Sequence, residues 1–158
     1  MTDMLDVRAI ESFLASGRIA VVGASPDPKQ FGNVVYRELR DHGHDVVAVH
    51  PRATEVAGDP CYAELVDVPG ELDGVLVMVR GGAADVVRAA VARGVPRVWL
   101  FRGLGPGAVT AEALAACDEA GVELVAGACP LMFLEPVGGV HRLHRGVRRL
   151  RGALPRSA

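Results

Sequence analysis

The 158-residue sequence is poor in aromatic side chains, which make up 4% of it, and it contains one lysine, Lys29, against 16 arginines. No apolar run approaches the roughly 18 residues of a membrane-spanning helix, so no membrane segment is predicted. Its three cysteines (Cys61, Cys117 and Cys129) are an odd number without metal-ligand spacing, which argues against a disulfide framework or a zinc site. The cysteine usage instead favours a reduced, cytoplasmic setting. No charged-then-apolar leader precedes the first predicted helix, so no signal peptide is predicted.

The net charge of −2 provides no general attraction to nucleic acid or acidic membranes, so an anion-binding site must be local. Hydrophobic residues make up 50% of the chain, and most are valine, alanine and leucine. That composition is typical of a β-branched parallel sheet covered by alanine-rich helices.

Short apolar segments alternate with helical stretches along the chain. After a helix at about 4–16, five strands are predicted, at Ile19–Val22, Val46–Val49, Val75–Val79, Val98–Phe101 and Val122–Val125. Helices are predicted between them at about 32–40, 83–93 and 109–120. This alternation indicates βαβ units and predicts an α/β, Rossmann-like three-layer sandwich with a mostly parallel sheet of about five strands.

One connection, from Pro51 to Leu72, is too rich in proline and glycine for a full helix. One or two helical turns are predicted within Tyr62–Val66, and loop elsewhere. Because the connection begins at the end of the second strand, we expect its first residues to contact a ligand.

The last 21 residues differ from the rest, so the chain divides into a domain at 1–137 and a basic tail at 138–158. Apolar residues recur in the tail every three or four positions, so a helix there would be apolar on one side and basic on the other. Its charges are interpreted as a solvated face of a docking helix. The lack of interleaved aromatics argues against nucleic-acid binding, while contact with a protein partner or a second copy stays open.

The first strand ends at the turn Gly23-Ala24-Ser25. Ligands of open parallel sheets bind outside the carboxyl ends of the strands, near the point where strand order reverses. Small residues let a phosphate approach the backbone, and N–H groups at a helix start hold it. Lys29 follows in the same loop and provides a flexible positive charge. The alternatives are an ordinary turn and a solvated lysine.

The second strand is followed by His50-Pro51-Arg52, where NAD-binding units place a carboxylate for the ribose hydroxyls. A guanidinium there fits a phosphate on the ribose, which NADP carries at the 2′ position and coenzyme A at the 3′ position. Pro51 could lie flat against adenine. The alternative is a turn proline beside an exposed arginine.

Arginine also follows the third and fourth strands, in the pairs Val79-Arg80 and Phe101-Arg102. Guanidinium groups suit bidentate phosphate contacts or stacking on adenine, although both could be simple strand-end charges. The sequence thus predicts a polyphosphate site at one edge of the sheet, formed by Gly23, Ala24, Ser25, Lys29, His50, Pro51, Arg52, Val79, Arg80, Phe101 and Arg102.

Several segments together resemble the small stand-alone CoA-binding domain proteins, which are similar to the N-terminal CoA-binding domain of the succinyl-CoA synthetase α subunit. They are Ile19–Ser25, Val49–Arg52, Pro60–Pro69, Trp99–Gly103 and Cys129-Pro130, and the resemblance covers roughly residues 8–136. It implies a Rossmann-like domain that holds coenzyme A or an acyl-CoA across its strand ends. Gly23–Ser25 would then form the nucleotide loop, Pro51 and Arg52 would contact the adenosine phosphate, and Arg80 with Phe101-Arg102 would form the remaining wall.

The sequence departs from that family where many relatives carry an amide or acid near position 102, and the basic tail has no counterpart. The synthetase's second domain, with its phosphorylated histidine, is not encoded in these 158 residues. A Cys129–His50 catalytic pair, or a mixed disulfide between Cys129 and coenzyme A, is conceivable. Non-catalytic binding of coenzyme A or an acyl-CoA is the function predicted, and an NADP-dependent enzyme or redox sensor on a similar scaffold is the alternative.

Overall fold

A computed structural model describes residues 7–79, 81–102 and 107–134. Within these ranges the α-helices are α1 (Val7–Leu14), α2 (Phe31–Asp41), α3 (Ala83–Ala92) and α4 (Ala111–Ala120). The strands are β1 (Arg18–Val22), β2 (Asp45–Val49), β3 (Glu55–Val56), β4 (Asp59–Tyr62), β5 (Gly74–Val77), β6 (Arg97–Leu100) and β7 (Glu123–Ala126). Short 3₁₀ helices lie at Leu65–Asp67 and Pro130–Phe133.

The strands form one sheet in the order β3-β4-β2-β1-β5-β6-β7. Neighbouring strands are parallel except for β3 and β4, which are antiparallel. From β1 the chain first adds strands on one side and then returns to place β5 on the other. The order therefore reverses between β1 and β5, where a ligand crevice is expected.

The register aligns the ends of the six parallel strands at one edge, where Tyr62 of β4 pairs with Val49 of β2. Val22 of β1 pairs with both Val49 of β2 and Val77 of β5, and Val77 in turn pairs with Leu100 of β6. Leu100 is paired with Ala126 of β7. We call this edge, with the residues that directly follow these strands, the carboxyl edge.

Helices cover both faces of the sheet, which confirms the three-layer prediction. Successive strand residues point to opposite faces, so Ala20 and Val22 pack with α3 and α4, whereas Ile19 and Val21 pack with α1 and α2. Trp99 is fully buried on the second face, where its ring meets Phe13 edge-on at 5.3 Å. Its indole N–H donates to the Ala128 carbonyl at 2.9 Å.

Element bounds agree closely with the predictions because the end signals are local. The Thr110 hydroxyl accepts the Ala113 N–H and starts α4, and Gly121 ends that helix with a left-handed φ of 71°. The described N-terminal helix begins at Val7, and residues 1–6 lie outside the described ranges, as does the predicted tail at 138–158. In the part of the chain that the structure describes, no helix is long and apolar enough to cross a membrane.

The prediction for the 51–72 connection was wrong in its first half, which forms β3 and β4 instead of loop and raises the strand count to seven. The two strands join through Ala57 and Gly58, both with positive φ (52° and 87°), as a tight two-residue hairpin turn requires. Ala-Gly lacks the usual asparagine or aspartate signature of that turn. Tyr62 belongs to β4, and the helical turn is confined to Leu65–Asp67.

Candidate functional site

Backbone hydrogen bonds continue the parallel pattern one residue past the strands, among them three that start from the residues after β1, β5 and β6. The Gly23 N–H donates to the Val49 carbonyl at 2.9 Å, and the Met78 N–H donates to the Val22 carbonyl at 2.8 Å. The Phe101 N–H donates to Val77 at 2.9 Å. They place Gly23, Met78 and Phe101 at the carboxyl edge.

The loop after β1 is pressed against the start of α2. Gly23 has a left-handed φ of 107°, and a Cβ built on Gly32 would lie 2.1 Å from the Gly23 carbonyl oxygen and 3.4 Å from the Ala24 Cα. Only glycine at position 32 allows this approach. It is the close packing that the third glycine provides in dinucleotide-binding loops, reached here with a different spacing. The first N–H groups of α2 therefore lie beside Gly23 and Ala24.

The same loop is held by a buried asparagine that the sequence analysis did not identify. Asn33 is 2% exposed; its amide donates to the Ser25 carbonyl at 2.8 Å, and its oxygen accepts from Arg37 Nε at 2.6 Å. The Ser25 hydroxyl accepts the Asp27 N–H at 3.0 Å, which leaves the hydroxyl proton for another acceptor. A polar residue in the apolar row of α2 was the sequence signal for Asn33.

A cleft of about 310 Å³ opens at the carboxyl edge on the side of α3. Three of the predicted site residues line it: Gly23, Pro51 and Val79. The other lining residues were not predicted from the sequence. They lie beneath the cleft or belong to α3 and the second half of the 51–72 connection: Val22, Val49, Ala63, Glu64, Leu65, Val66, Gly81, Asp85, Val86 and Ala89. The walls are mainly aliphatic, and two carboxylates, Glu64 and Asp85, also line the cleft. This composition and the volume of the cleft suit a planar base with polar edges.

Arg93 holds one wall of the cleft in place. At the end of α3, its guanidinium donates to the carbonyls of Leu65 at 2.7 Å, Val68 at 2.9 Å and Gly70. Arg18 supports the same segment by donating to Pro69 at 2.6 Å. These bonds replace the backbone pairing that a segment without regular structure lacks.

Of the predicted cations, Lys29, Arg52 and Arg102 do not line the cleft. Lys29, Arg52 and Arg102 are all exposed, and within the described residues none of their side chains forms an ion pair. Arg52 directs its backbone N–H to His50 Nδ1 at 3.1 Å. Arg80 lies outside the described residues.

The Cys129–His50 pair is not supported. His50 follows β2 and Cys129 follows β7, and these strands are four positions apart in the sheet, about 19 Å at ~4.8 Å per strand. Burial raises the pKa of Cys117 to about 11, and burial also raises the pKa of Cys61, an effect that a hydrogen bond with the His50 backbone partly offsets. Among the residues described, no group of histidine, cysteine and carboxylate side chains could hold a metal ion.

Comparison with known proteins gives a consistent result. The family described as "CoA binding domain" matches residues 17–135. A hypothetical protein from Pyrococcus horikoshii has a similar structure, with a TM-score of 0.72 and 32% identity over 83% of this chain and 91% of that one.

Two curated relatives are larger proteins. The α subunit of ADP-forming acetate–CoA ligase II from Pyrococcus furiosus is 37% identical over 71 residues, which are 44% of this chain and 16% of the subunit. ADP-forming acetate–CoA ligase I from Archaeoglobus fulgidus is 36% identical over 61 residues, which are 39% of this chain. The matched region spans only 9% of that ligase's length.

Proposed function

This chain belongs to the CoA binding domain family, and on that premise we propose that it binds coenzyme A or an acyl-CoA at its carboxyl edge without catalysing a reaction. The observation that carries the proposal is the aliphatic cleft between β1, β2 and α3, which adjoins a phosphate-type loop. Cleft and loop meet at Gly23, where the strand order reverses.

The adenine is assigned to the cleft. Pro51 and Val79 offer aliphatic surfaces for the faces of the base, and the Glu64 carboxylate is an acceptor for its exocyclic amino group. The ribose then lies near the end of β2. Its 3′-phosphate is assigned to Arg52, whose guanidinium is exposed and without an ion-pair partner among the described residues.

The diphosphate is assigned to Gly23-Ala24-Ser25 and the first turn of α2. Backbone N–H groups there donate hydrogen bonds to anionic oxygens, and Ser25 retains a hydroxyl proton to donate. Lys29 and Arg102 add positive charge beside the loop, and Arg80, beyond Val79, is assigned to the same set. Each hydrogen bond to a charged group contributes about 1.5–3 kcal/mol, so three contacts supply about 5–9 kcal/mol before association costs. Micromolar affinity is expected.

The non-catalytic part of the proposal is supported by the short match to the ligases. The shared region is a small part of each ligase, so their ligase activity is not transferred to this chain. We retain 1–137 as the ligand-binding domain and 138–158 as a separate tail. The family match, which ends at residue 135, supports that division.

Thermal-shift measurements with coenzyme A, dephospho-coenzyme A, NADP and NAD test the assignment, since stabilisation follows RT ln(1 + [L]/Kd). Coenzyme A is expected to stabilise most and dephospho-coenzyme A less. Arg52→Ala is expected to reduce the difference in thermal shift between these two ligands. The control Arg8→Ala removes an exposed arginine from α1 and is expected to leave that difference unchanged. A clear preference for NADP would favour the enzyme or redox-sensor alternative, and no shift with any ligand would reject nucleotide binding.

A further inference from the structure

An aromatic pair lies at the carboxyl edge on the face opposite the cleft. Phe31, the first residue of α2, is 42% exposed, and its ring lies 5.5 Å from that of Phe101 at an interplanar angle of 33°. The 3₁₀ helix Pro130–Phe133 packs beside α2 and carries Met132, which is 73% exposed. We call Phe31, Phe101 and Met132 the apolar platform.

The platform is unusual because exposed large apolar side chains are few in the described part of the chain. Five large apolar side chains are exposed there: Val7, Phe31, Val66, Leu114 and Met132. Phe31 is almost half exposed, although it is the first residue of a helix, a position that a polar side chain could occupy. Exposed apolar groups at the same sheet edge as a binding cleft commonly mark part of a ligand site.

The loop Gly23–Ser25 lies between the cleft and the platform. The cleft takes its outer wall from α3, which covers one face of the sheet, whereas Phe31 belongs to α2 on the other face. Gly23 lines the cleft, and Gly32, next to Phe31, packs on the Gly23 carbonyl. A ligand with its base in the cleft and its diphosphate on the loop therefore extends its remaining arm over the carboxyl edge toward Phe31.

We propose that the apolar platform binds the acyl group of an acyl-CoA and that the ligand class is acyl-CoA with an apolar chain of several carbons. This inference rests on the proposed function, which places the nucleotide in the cleft. The far end of coenzyme A carries the thiol, and a free thiol buries little surface on two phenyl rings. When an acyl chain packs on Phe31 and Phe101, its methylenes and the faces of the two rings are buried from water together.

Isothermal titration with coenzyme A and with hexanoyl-CoA tests this for the full chain, for Phe31→Ala and for Leu114→Ala. Leu114 is the matched control because it is an exposed apolar side chain on α4, which covers the opposite face of the sheet from α2. Hexanoyl-CoA is expected to bind the unaltered chain about tenfold more tightly than coenzyme A, given the gain from a few partly buried methylenes. Phe31→Ala is expected to abolish that difference, because it removes the ring and keeps the backbone N–H of the first turn of α2, and Leu114→Ala is expected to preserve it.

Phe101→Ala provides a second variant, with the same expected loss of the acyl preference. If coenzyme A binds but the unaltered chain shows no preference for hexanoyl-CoA, the platform proposal is overturned and the proposed function stands. The same holds if the preference survives in both phenylalanine variants. If neither ligand binds the unaltered chain, the proposed function fails and this inference fails with it.

Discussion

Replacing Gly32 by alanine tests the link between backbone packing and ligand binding. The added Cβ would lie 2.1 Å from the Gly23 carbonyl oxygen and 3.1 Å from its carbon. Real Cβ contacts essentially never fall below 3.0 Å, so the loop and α2 must separate by at least about 0.9 Å. Both contacting atoms are backbone, so no side-chain rotation can relieve the overlap.

The expected cost has two parts. Overpacking of this kind destabilises by about 1–3 kcal/mol, and the better helix propensity of alanine recovers up to ~1 kcal/mol. The displaced α2 N–H groups also lose their alignment with the ligand diphosphate. Because a hydrogen bond to a charged group contributes about 1.5–3 kcal/mol, loss of one such bond weakens coenzyme A binding at least tenfold.

Urea denaturation and isothermal titration measure the two effects separately. Gly94→Ala is the control, since Gly94 has a φ of 81° with open space around it and lies at the opposite edge of the sheet. That change strains the backbone by about 1–2 kcal/mol without touching the loop. An affinity for coenzyme A within about twofold of the original in Gly32→Ala, or an equal loss in Gly94→Ala, would refute this reasoning.

Three further predictions concern the supports of the fold. Arg93→Ala is expected to cost about 1–3 kcal/mol and to speed amide exchange at residues 64–70, because three carbonyls lose their donor; unchanged exchange would contradict the assigned role. Cys117, with its pKa raised to about 11 by burial, keeps its proton in the folded state while the unfolded chain ionises near 9, so stability falls as the pH rises from about 9 to 11. The free energy of unfolding, measured by urea denaturation, should fall by about 2 kcal/mol over this pH range. The fall should be smaller in Cys117→Ala, and an equal fall in both chains would disprove the prediction. Tyr36 donates a 2.7 Å hydrogen bond to Asp59, and its pKa is raised by burial and by that bond. Tyr36→Phe is therefore expected to lower the free energy of unfolding by about 1–2 kcal/mol, measured by urea denaturation. An unchanged urea midpoint would show that the bond contributes nothing.

Much of the fold could be predicted because its signals are local. Val46–Val49 and Val98–Leu100 are continuous apolar runs of β-branched and large residues, which identify buried parallel strands without knowledge of their neighbours. The hairpin of β3 and β4 was missed because its pairing is a tertiary contact. The short Pro60-containing segment becomes a strand because it pairs with β3 on one side and with β2 on the other, where Cys61 lies opposite Ala48.

Some residues of the candidate site could likewise be predicted from the sequence, and others could not. Parallel strands place their carboxyl ends at one edge, so the positions of Gly23, Pro51 and Val79 at a common cleft followed from strand order alone. Asn33 and Arg93 act through distant backbone carbonyls, at Ser25 and at Leu65–Gly70. Neither contact has a local pattern in the sequence.

By itself, the sequence determined the α/β alternation, the parallel sheet and the concentration of cations beyond the strand ends, because these depend on residue order and side-chain period. Only the tertiary structure decided which face of the sheet carries the cleft and which carries Phe31, and that Gly32 contacts Gly23. Those features depend on how α2 and α3 pack across the sheet, and that packing is set by contacts between residues far apart in the chain.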